Sequence, residues 1–188
     1  SPLRVLAKAD KATYDRIMPP TTATERCRLR SLHGNALKAH QLSRLNGLLD
    51  RILPENEFYS TKFTSLRLPL TSLDHLKDLP YTFKSGLADS KTPLSQNHTF
   101  PVDRYTRWHQ TSGTRGRPLV ILDTADDWAW WMDCWQHVLD VAEITAEDRI
   151  LFAFSFGPFI GFWSSFDAAK ELGCLAIPGG GMNTLGRL

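Results

Sequence analysis

The strongest constraint on the fold is the alternation of strand-like and helix-like segments in the second half of the chain. Residues 105–110 and 118–123 have strand composition, and the glycine-containing loop between them is short enough for a β-hairpin. Further on, the continuous apolar run at 150–155, ILFAFS, fits a buried parallel strand, and CLAIP at 174–178 makes another short strand. Gly173 suits the C-terminal cap of the helix between them. The pattern predicts an α/β fold in which the hairpin precedes a βαβ unit.

A long helix is predicted between the hairpin and the βαβ unit. Thr124, with Asp127 three residues later, forms a capping-box pattern, and the helix then runs to about Ala142. One apolar stripe at helical spacing is expected to pack against the sheet, and its members are Trp128, Trp131, Trp135, Val138, Leu139 and Ala142.

The first half of the chain is predicted to be a helical region with loops. Residues 34–53 place leucines at helical spacing before Pro54 ends the helix, whereas residues 85–103 are rich in Ser, Thr, Pro and Asn and read as a surface loop. We therefore divide the chain into a helical N-terminal region at 1–100 and an α/β part at 101–188.

Charge and cysteine usage limit the classes of partner. Residues 1–75 carry twelve Lys and Arg against seven Asp and Glu, a mild excess spread over Arg26, Arg28, Arg30, Lys38, Arg44 and Arg51. These side chains could contact phosphates in a basic nucleic-acid-binding module. They lack the charge density and interleaved aromatic residues of such a surface, and a solvated helix face is the better interpretation. We expect no nucleic-acid partner.

The three cysteines, Cys27, Cys134 and Cys174, are far apart and form no CxxC pair, so neither a disulfide framework nor a zinc site is indicated. The longest apolar run, at residues 150–163, is interrupted by serine, glycine and proline and is shorter than the ~20 residues that span a bilayer. These features favour a cytoplasmic protein with free thiols and no membrane partner.

The loop TSGTRGRP at 111–118 contains more polar chemistry than a turn requires. Its glycines allow positive φ and close approach of a ligand, and successive backbone N–H groups can bind an anion. The hydroxyl groups add donors, and Arg115 and Arg117 add positive charge suited to phosphate oxygens. A polar, solvent-exposed hairpin turn is the alternative that composition leaves open.

This loop resembles the phosphate-binding loop of the adenylate-forming superfamily, whose pattern is [ST]-S-G-[ST]-T-G-x-P. The surrounding segments LNGLLDRILPENEFYSTKF, LDHLKDLPYTFKSGL, EDRILFAFSFGPFIGFW and ELGCLAIPGGG are similar to those of phenylacetate-CoA ligases. The likeness extends from about Leu32 to Leu188. It implies that the chain is the N-terminal portion of such a ligase, with an incomplete AMP-binding domain.

The resemblance implies an enzyme that activates a carboxylic acid, expected to be aromatic, with ATP and Mg²⁺ through an acyl-adenylate, and then transfers the acyl group to coenzyme A. The residues that would hold the phosphates of ATP are Thr111, Ser112, Gly113, Thr114, Arg115, Gly116 and Arg117. Arg115 replaces the usual threonine of the family, so it either grips phosphate or weakens ATP binding. Phe156, Gly157 and Phe159 are candidates for contacting the acid, although an apolar strand–helix junction needs such residues for packing as well.

Two expectations concern the chain itself. The motifs for the Mg²⁺-binding acidic residue, the ribose-binding aspartate and the adenylation lysine do not occur, so the chain alone is expected to be inactive. A non-catalytic binding or assembly module on the same scaffold is the alternative function. A sheet with missing strands also predicts self-association through its exposed edge. His109, two residues before the loop, is expected to be packed within its strand.

Overall fold

The computed structural model describes residues 20–88, 92, 94–113 and 117–187. Seven α-helices are seen in these residues, with bounds α1 Ala23–Arg30, α2 Gly34–Ile52, α3 Glu57–Lys62, α4 Lys84–Leu87, α5 Ala125–Val141, α6 Ile160–Leu172 and α7 Thr184–Arg187. The four strands are β1 Arg107–Gln110, β2 Val120–Asp123, β3 Arg149–Phe152 and β4 Leu175–Pro178. The predicted α/β class, with a helical first half, is confirmed.

The strands form two pairs, as the sequence predicts. The β1 and β2 strands are antiparallel, and the register places Arg107 opposite Asp123 and Gln110 opposite Val120. The β3 and β4 strands are parallel and α6 connects them, which is the predicted βαβ unit. Gly173 ends α6 with φ of 101°, a left-handed conformation in which glycine avoids the Cβ clash of other residues.

The α6 helix lies between two parts of the hydrophobic core. Ala168 and its neighbour Ala169 are both fully buried; Ala168 belongs to a cluster with Trp128, Met132 and Leu139 of α5. Ala169 packs instead with Phe152 of β3 and with Cys174. Small side chains at these two positions allow α6 to approach the other helix and the parallel strands closely. The α6 helix thereby joins the hairpin half of the core to the βαβ half.

The α5 helix begins at the predicted capping box, in which Thr124 and Asp127 bond to each other's backbone N–H groups. The predicted apolar stripe is wrong at its C-terminal end, because Val138 is 53% exposed and Ala142 is also exposed. Met132 and Gln136 are buried instead, and the Gln136 side-chain amide donates to the Ala168 carbonyl. The face of α5 that is buried is therefore the one that contacts α6, and it differs from the face predicted from the spacing of apolar residues.

Two other expectations need correction. The 85–103 segment is not only a surface loop, since α4 overlaps its start and Ser95 donates its backbone N–H to the Val120 carbonyl beside β2. The strand at 150–155 is shorter and less buried than predicted, because only one face of β3 packs on α6. Phe152 is buried, whereas Leu151 is 41% and Leu175 57% exposed. The self-association expected from such an edge stays a prediction.

Candidate phosphate-loop site

The hairpin carries the candidate phosphate loop on a closed stem. Beyond the last β1–β2 pair, the Thr111 N–H donates to the Leu119 carbonyl at 3.0 Å, and the Leu119 N–H donates to the Thr111 hydroxyl oxygen at 3.0 Å. The Thr111 side chain therefore clamps the neck of the loop. Its own O–H proton is a hydrogen-bond donor that this bond does not use.

The beginning and end of the loop have the features of an anion-binding turn. Gly113 has φ of 69°, which a residue with a Cβ adopts only at a cost, and Ser112 and Arg117 are exposed. Thr114, Arg115 and Gly116 lie outside the described residues, and their predicted phosphate contacts stay predictions. The described part of the loop contains a hydroxyl donor, backbone N–H groups and one guanidinium, which are groups that can bind phosphate oxygens, and phosphate binding by the loop stays a prediction.

A backbone hydrogen bond joins this stem to the segment predicted to contact the acid. The Gln110 N–H, at the end of β1, donates to the Pro158 carbonyl at 2.9 Å. Pro158 lies between Gly157 and Phe159, just before α6. The fold thus brings two candidate sites together that are about fifty residues apart in sequence.

The three candidate acid-contacting residues have different surroundings. Phe156 is half-buried, and its ring centroid lies 4.7 Å from that of Trp163 and 5.2 Å from that of Phe166. Phe159 is 49% exposed, and its ring packs beside Gly161, where a Cβ would lie 2.7 Å from the ring. A Cβ at Gly157 would meet nothing within 4 Å. Phe159 and Gly157 therefore border open space, whereas Phe156 belongs mainly to the aromatic core.

Two glycines after β4 are required because the chain there passes close to other backbone atoms. A Cβ at Gly179 would lie 2.9 Å from the Phe152 carbonyl oxygen, and one at Gly180 would lie 3.1 Å from the Phe154 carbonyl oxygen. The chain after β4 therefore runs against the backbone that follows β3. Arg187 ties the same two segments by donating to the carbonyls of Gly179 and Ala153.

Sequence reasoning missed a buried pair behind the hairpin, formed by His109 and Asp123. The residues are 5% and 7% exposed, and His109 Nε2 lies 3.1 Å from Asp123 Oδ2. The approach is misaligned: neither these two atoms nor His109 Nδ1 has a hydrogen bond of good geometry within the part of the chain that the structure describes. His109 is packed in its strand as expected, with its ring stacked on Trp128 at 5.4 Å.

Burial controls the protonation of this pair. It raises the pKa of Asp123 to about 6, and the nearby Asp127 carboxylate adds to the shift. The pKa of His109 is lowered by burial first and by the Arg107 cation second. Both shifts favour the neutral form of the side chain.

Arg107 lies on the same face of the hairpin and contacts both α5 and α6. Its guanidinium is 3.9 Å from the Trp128 ring centroid and bonds to the Asp167 carboxylate of α6 at 2.6 Å. The Trp128 indole N–H also donates to Asp167. Period-two alternation, together with the predicted hairpin, would have placed Arg107, His109 and Asp123 on one face. What the sequence does not indicate is that this face is buried.

No group of three or more His, Cys, Asp or Glu side chains that could hold a metal ion occurs among residues 20–88, 92, 94–113 and 117–187. Over the same residues, no helix has both the length and the apolar character needed to cross a bilayer.

Comparison with known proteins gives relatives in sequence and in fold. No family model matches the chain. The phenylacetate-coenzyme A ligase of Pseudomonas putida is 29% identical over 153 residues, which are 80% of this chain and 34% of that protein. The Escherichia coli K12 phenylacetate-coenzyme A ligase is 30% identical over 151 residues, 79% of this chain and 34% of that protein. The chain spans about a third of the length of the curated relatives that it matches.

Solved structures of 2-hydroxyisobutyryl-CoA ligase have the same fold. In an open conformation with 2-HIB-AMP and CoA, that ligase superposes with a TM-score of 0.74 at 23% identity, over 91% of this chain and 41% of its own. In the thioesterification state the TM-score is 0.75 at 24% identity, over 91% and 38% of the two chains. The curated relatives in sequence are thus phenylacetate-coenzyme A ligases, and the chain shares its fold with 2-hydroxyisobutyryl-CoA ligase.

Proposed function

We propose that the chain is part of an AMP-forming acid–thiol ligase, which activates an aromatic carboxylic acid with ATP through an acyl-adenylate and transfers the acyl group to coenzyme A. The observation that carries the proposal is the hydrogen bond from Gln110 N–H to the Pro158 carbonyl. It couples a loop suited to phosphate with a junction lined by aromatic rings. The names of the sequence relatives support the same chemistry.

ATP supplies the electrophilic phosphorus and the pyrophosphate leaving group. The residues of this chain then have a positioning and electrostatic role. The Thr111 hydroxyl and the backbone N–H groups of Ser112 and Gly113 are suited to orient the triphosphate, and Arg117 to offset its charge. Thr114, Arg115 and Gly116 are proposed to complete the loop. Mg²⁺ and coenzyme A are proposed cofactors, and a cytoplasmic location is the accompanying prediction.

The acid is proposed to lie against Phe159 beside Gly157, with Phe156 supporting the junction from the core side. Because Phe159 is half exposed, its truncation should leave the stability of the protein unchanged and raise the KM for an aromatic acid. Phe83→Ala is the matched control, since Phe83 is 67% exposed and lies in the N-terminal half. Equal KM values for wild type and Phe159→Ala would remove Phe159 from the acid site.

The test of the ATP site is pyrophosphate exchange into ATP by the full-length protein, with a panel of aromatic and fatty acids. Gly113→Ala forces a Cβ into positive φ at a cost of about 1–3 kcal/mol, so the KM for ATP should rise about tenfold. Gly47→Ala is the control, because a Cβ there meets nothing within 4 Å and the residue is helical. A wild-type protein that exchanges pyrophosphate with none of the acids would favour the non-catalytic module.

A further inference from the structure

The turn between β3 and α6 is held by hydrogen bonds to two consecutive backbone carbonyls. The Gly157 carbonyl accepts the indole N–H of Trp163 at 2.7 Å. The next carbonyl, that of Pro158, accepts the Gln110 N–H at 2.9 Å. The two donors belong to different elements, α6 and β1, and together they hold both peptide groups that precede Phe159.

The indole hydrogen bond lies where stability alone does not require it. Trp163 is 36% exposed, so water could satisfy the Gly157 carbonyl in its place. A hydrogen bond between groups that water can reach adds little to the free energy of folding, because it replaces bonds to water. What water could not supply is direction. The indole is rigid, and its ring packs on that of Phe156 with a centroid distance of 4.7 Å.

The start of α6 depends on such contacts because it has no side-chain cap. Phe159 occupies the N-cap position, and its side chain cannot accept a hydrogen bond from the first N–H groups of the helix. Its ring lies over Gly161, where a Cβ would be 2.7 Å from a ring carbon, and beside the Phe162 ring at 5.4 Å. The place of the Phe159 ring therefore follows from the turn, and a shift of the Gly157 peptide group would move it.

We propose that Trp163 is a positioning residue of the acid site, which sets the place of Phe159 and keeps the space beside Gly157 open by holding the Gly157 carbonyl. The inference rests on the proposed function, in which the acid lies against Phe159. Trp163 acts through the turn and needs no contact with the acid. The bond between Gln110 and Pro158 does not involve the indole, so the stem of the phosphate loop keeps its contact when Trp163 loses its donor. The effect should therefore fall on the acid and not on ATP.

The experiment compares Trp163→Phe with wild type in pyrophosphate exchange by the full-length protein, with phenylacetate and benzoate as the acids. Phenylalanine keeps an aromatic ring against Phe156 and removes the N–H donor. The KM for both acids should rise about tenfold, because the turn loses one of its two hydrogen bonds, whereas kcat and the KM for ATP should change less than about twofold. Equal KM values for the acids in wild type and Trp163→Phe would overturn the proposal.

Trp135→Phe is the matched control. The Trp135 indole N–H donates to the Ser164 hydroxyl oxygen at 2.9 Å, so this variant also loses a tryptophan hydrogen bond to α6. That bond joins α5 to α6 and not α6 to the turn, and the KM for the acids should stay at the wild-type value even where stability falls. A rise in KM as large as that in Trp163→Phe would indicate a general loosening of α6, and the positioning role would be wrong.

Gly157→Ala separates the positioning role from the acid site itself. A Cβ at Gly157 meets nothing within 4 Å in the described part of the chain, so the variant should fold normally and place a methyl group in the space proposed for the acid. Its KM for the aromatic acids should rise at least as much as that of Trp163→Phe. A rise in Gly157→Ala alone would overturn the positioning role and keep the acid site, and no rise in either variant would overturn both.

A binding measurement that needs no turnover decides the case in which the protein is not a ligase. Phenylacetate is titrated calorimetrically into the full-length protein in the presence of a non-hydrolysable ATP analogue. The Kd should be about tenfold higher for Trp163→Phe than for wild type. This result in a wild type that exchanges no pyrophosphate would overturn the ligase activity and keep the positioning role. Equal Kd values, or a wild type that binds no phenylacetate, would overturn the positioning role.

Discussion

Two carboxylates near opposite ends of α5 lie in contrasting environments, and their pKa values are shifted in opposite directions. At the N-terminal end, Asp123 is buried beside His109, its Oδ2 atom has no hydrogen bond of good geometry among the described residues, and its pKa is raised to about 6. At the C-terminal end, Asp140 accepts two hydrogen bonds from Arg26 at 2.7 and 2.9 Å and a third from Arg30. These guanidinium bonds lower the pKa of Asp140 to about 2.

The two carboxylates differ in how their oxygen atoms are satisfied. Arg26 is 8% exposed, and it fastens α1 to α5 with three hydrogen bonds, two to the Asp140 carboxylate and one to the Thr21 carbonyl. Near the other end, His109 and Asp123 Oδ2 are buried in the hairpin without a hydrogen bond of good geometry among the described residues, and their burial carries a desolvation cost.

The largest expected effect is at the N-terminal end. Trp128→Ala should destabilise the protein by about 3–5 kcal/mol, because the indole packs in the core, stacks on His109 and donates to Asp167. Trp130→Ala is the matched control, since that indole is 48% exposed, and it should cost less than about 1 kcal/mol. Denaturant unfolding measures both. Similar losses for the two variants would mean that the Trp128 cluster does not anchor the hairpin.

The next effect is a gain in stability. The folded-state pKa of Asp123, about 6, lies above its ordinary value of 3.8, so the folded protein holds this proton more tightly than the unfolded chain. Stability from this group is complete below about pH 4 and is lost as the pH rises to 6. Asp123→Asn should therefore be more stable than wild type by about 3 kcal/mol at pH 8 and equal to it at pH 4. Chemical unfolding at the two pH values decides, and a variant less stable than wild type at pH 8 would contradict the shift.

The C-terminal end should respond with the opposite sign and a smaller magnitude. Asp140→Asn should lose about 1–3 kcal/mol at pH 7, because charge-assisted bonds from two arginines are weakened. Since the pKa of Asp140 is lowered to about 2, the wild type keeps this contribution above about pH 4 and loses it as the pH falls to 2. Glu25→Gln, in an exposed pair with Arg28, is the control and should change nothing measurable. An equal loss of stability in the two variants would mean that the Asp140 bonds to Arg26 and Arg30 contribute no more than the exposed Glu25–Arg28 pair.

Much of the fold could be predicted from local signals. The capping box at Thr124 and the glycine cap at 173 are set by neighbouring residues, and the two strand pairs follow from strand composition and spacing along the chain; these predictions are confirmed. The burial of individual side chains is harder to predict from the sequence. Gln136 is buried and Val138 is exposed because α6 selects the face of α5, and this contact joins residues about thirty positions apart.

The candidate site divides in the same way. The glycine of the loop with positive φ, Gly113, could be predicted from its turn chemistry. The link between Gln110 and Pro158 could not, because it depends on how the hairpin docks beside the βα junction. Asp123 was not singled out, since its importance lies in burial and in its distance from His109. The resemblance to phenylacetate-CoA ligases points to the loop at 111–118 as a phosphate site, but it does not indicate the contacts that hold the loop in place.

The most direct test of the account is a structure of the full-length protein with a non-hydrolysable ATP analogue. We expect the terminal phosphates to lie against the backbone N–H groups of Ser112 and Gly113, with the Thr111 hydroxyl donating to a phosphate oxygen and the Thr111–Leu119 clamp intact. An analogue bound elsewhere, with residues 111–118 facing solvent, would contradict it.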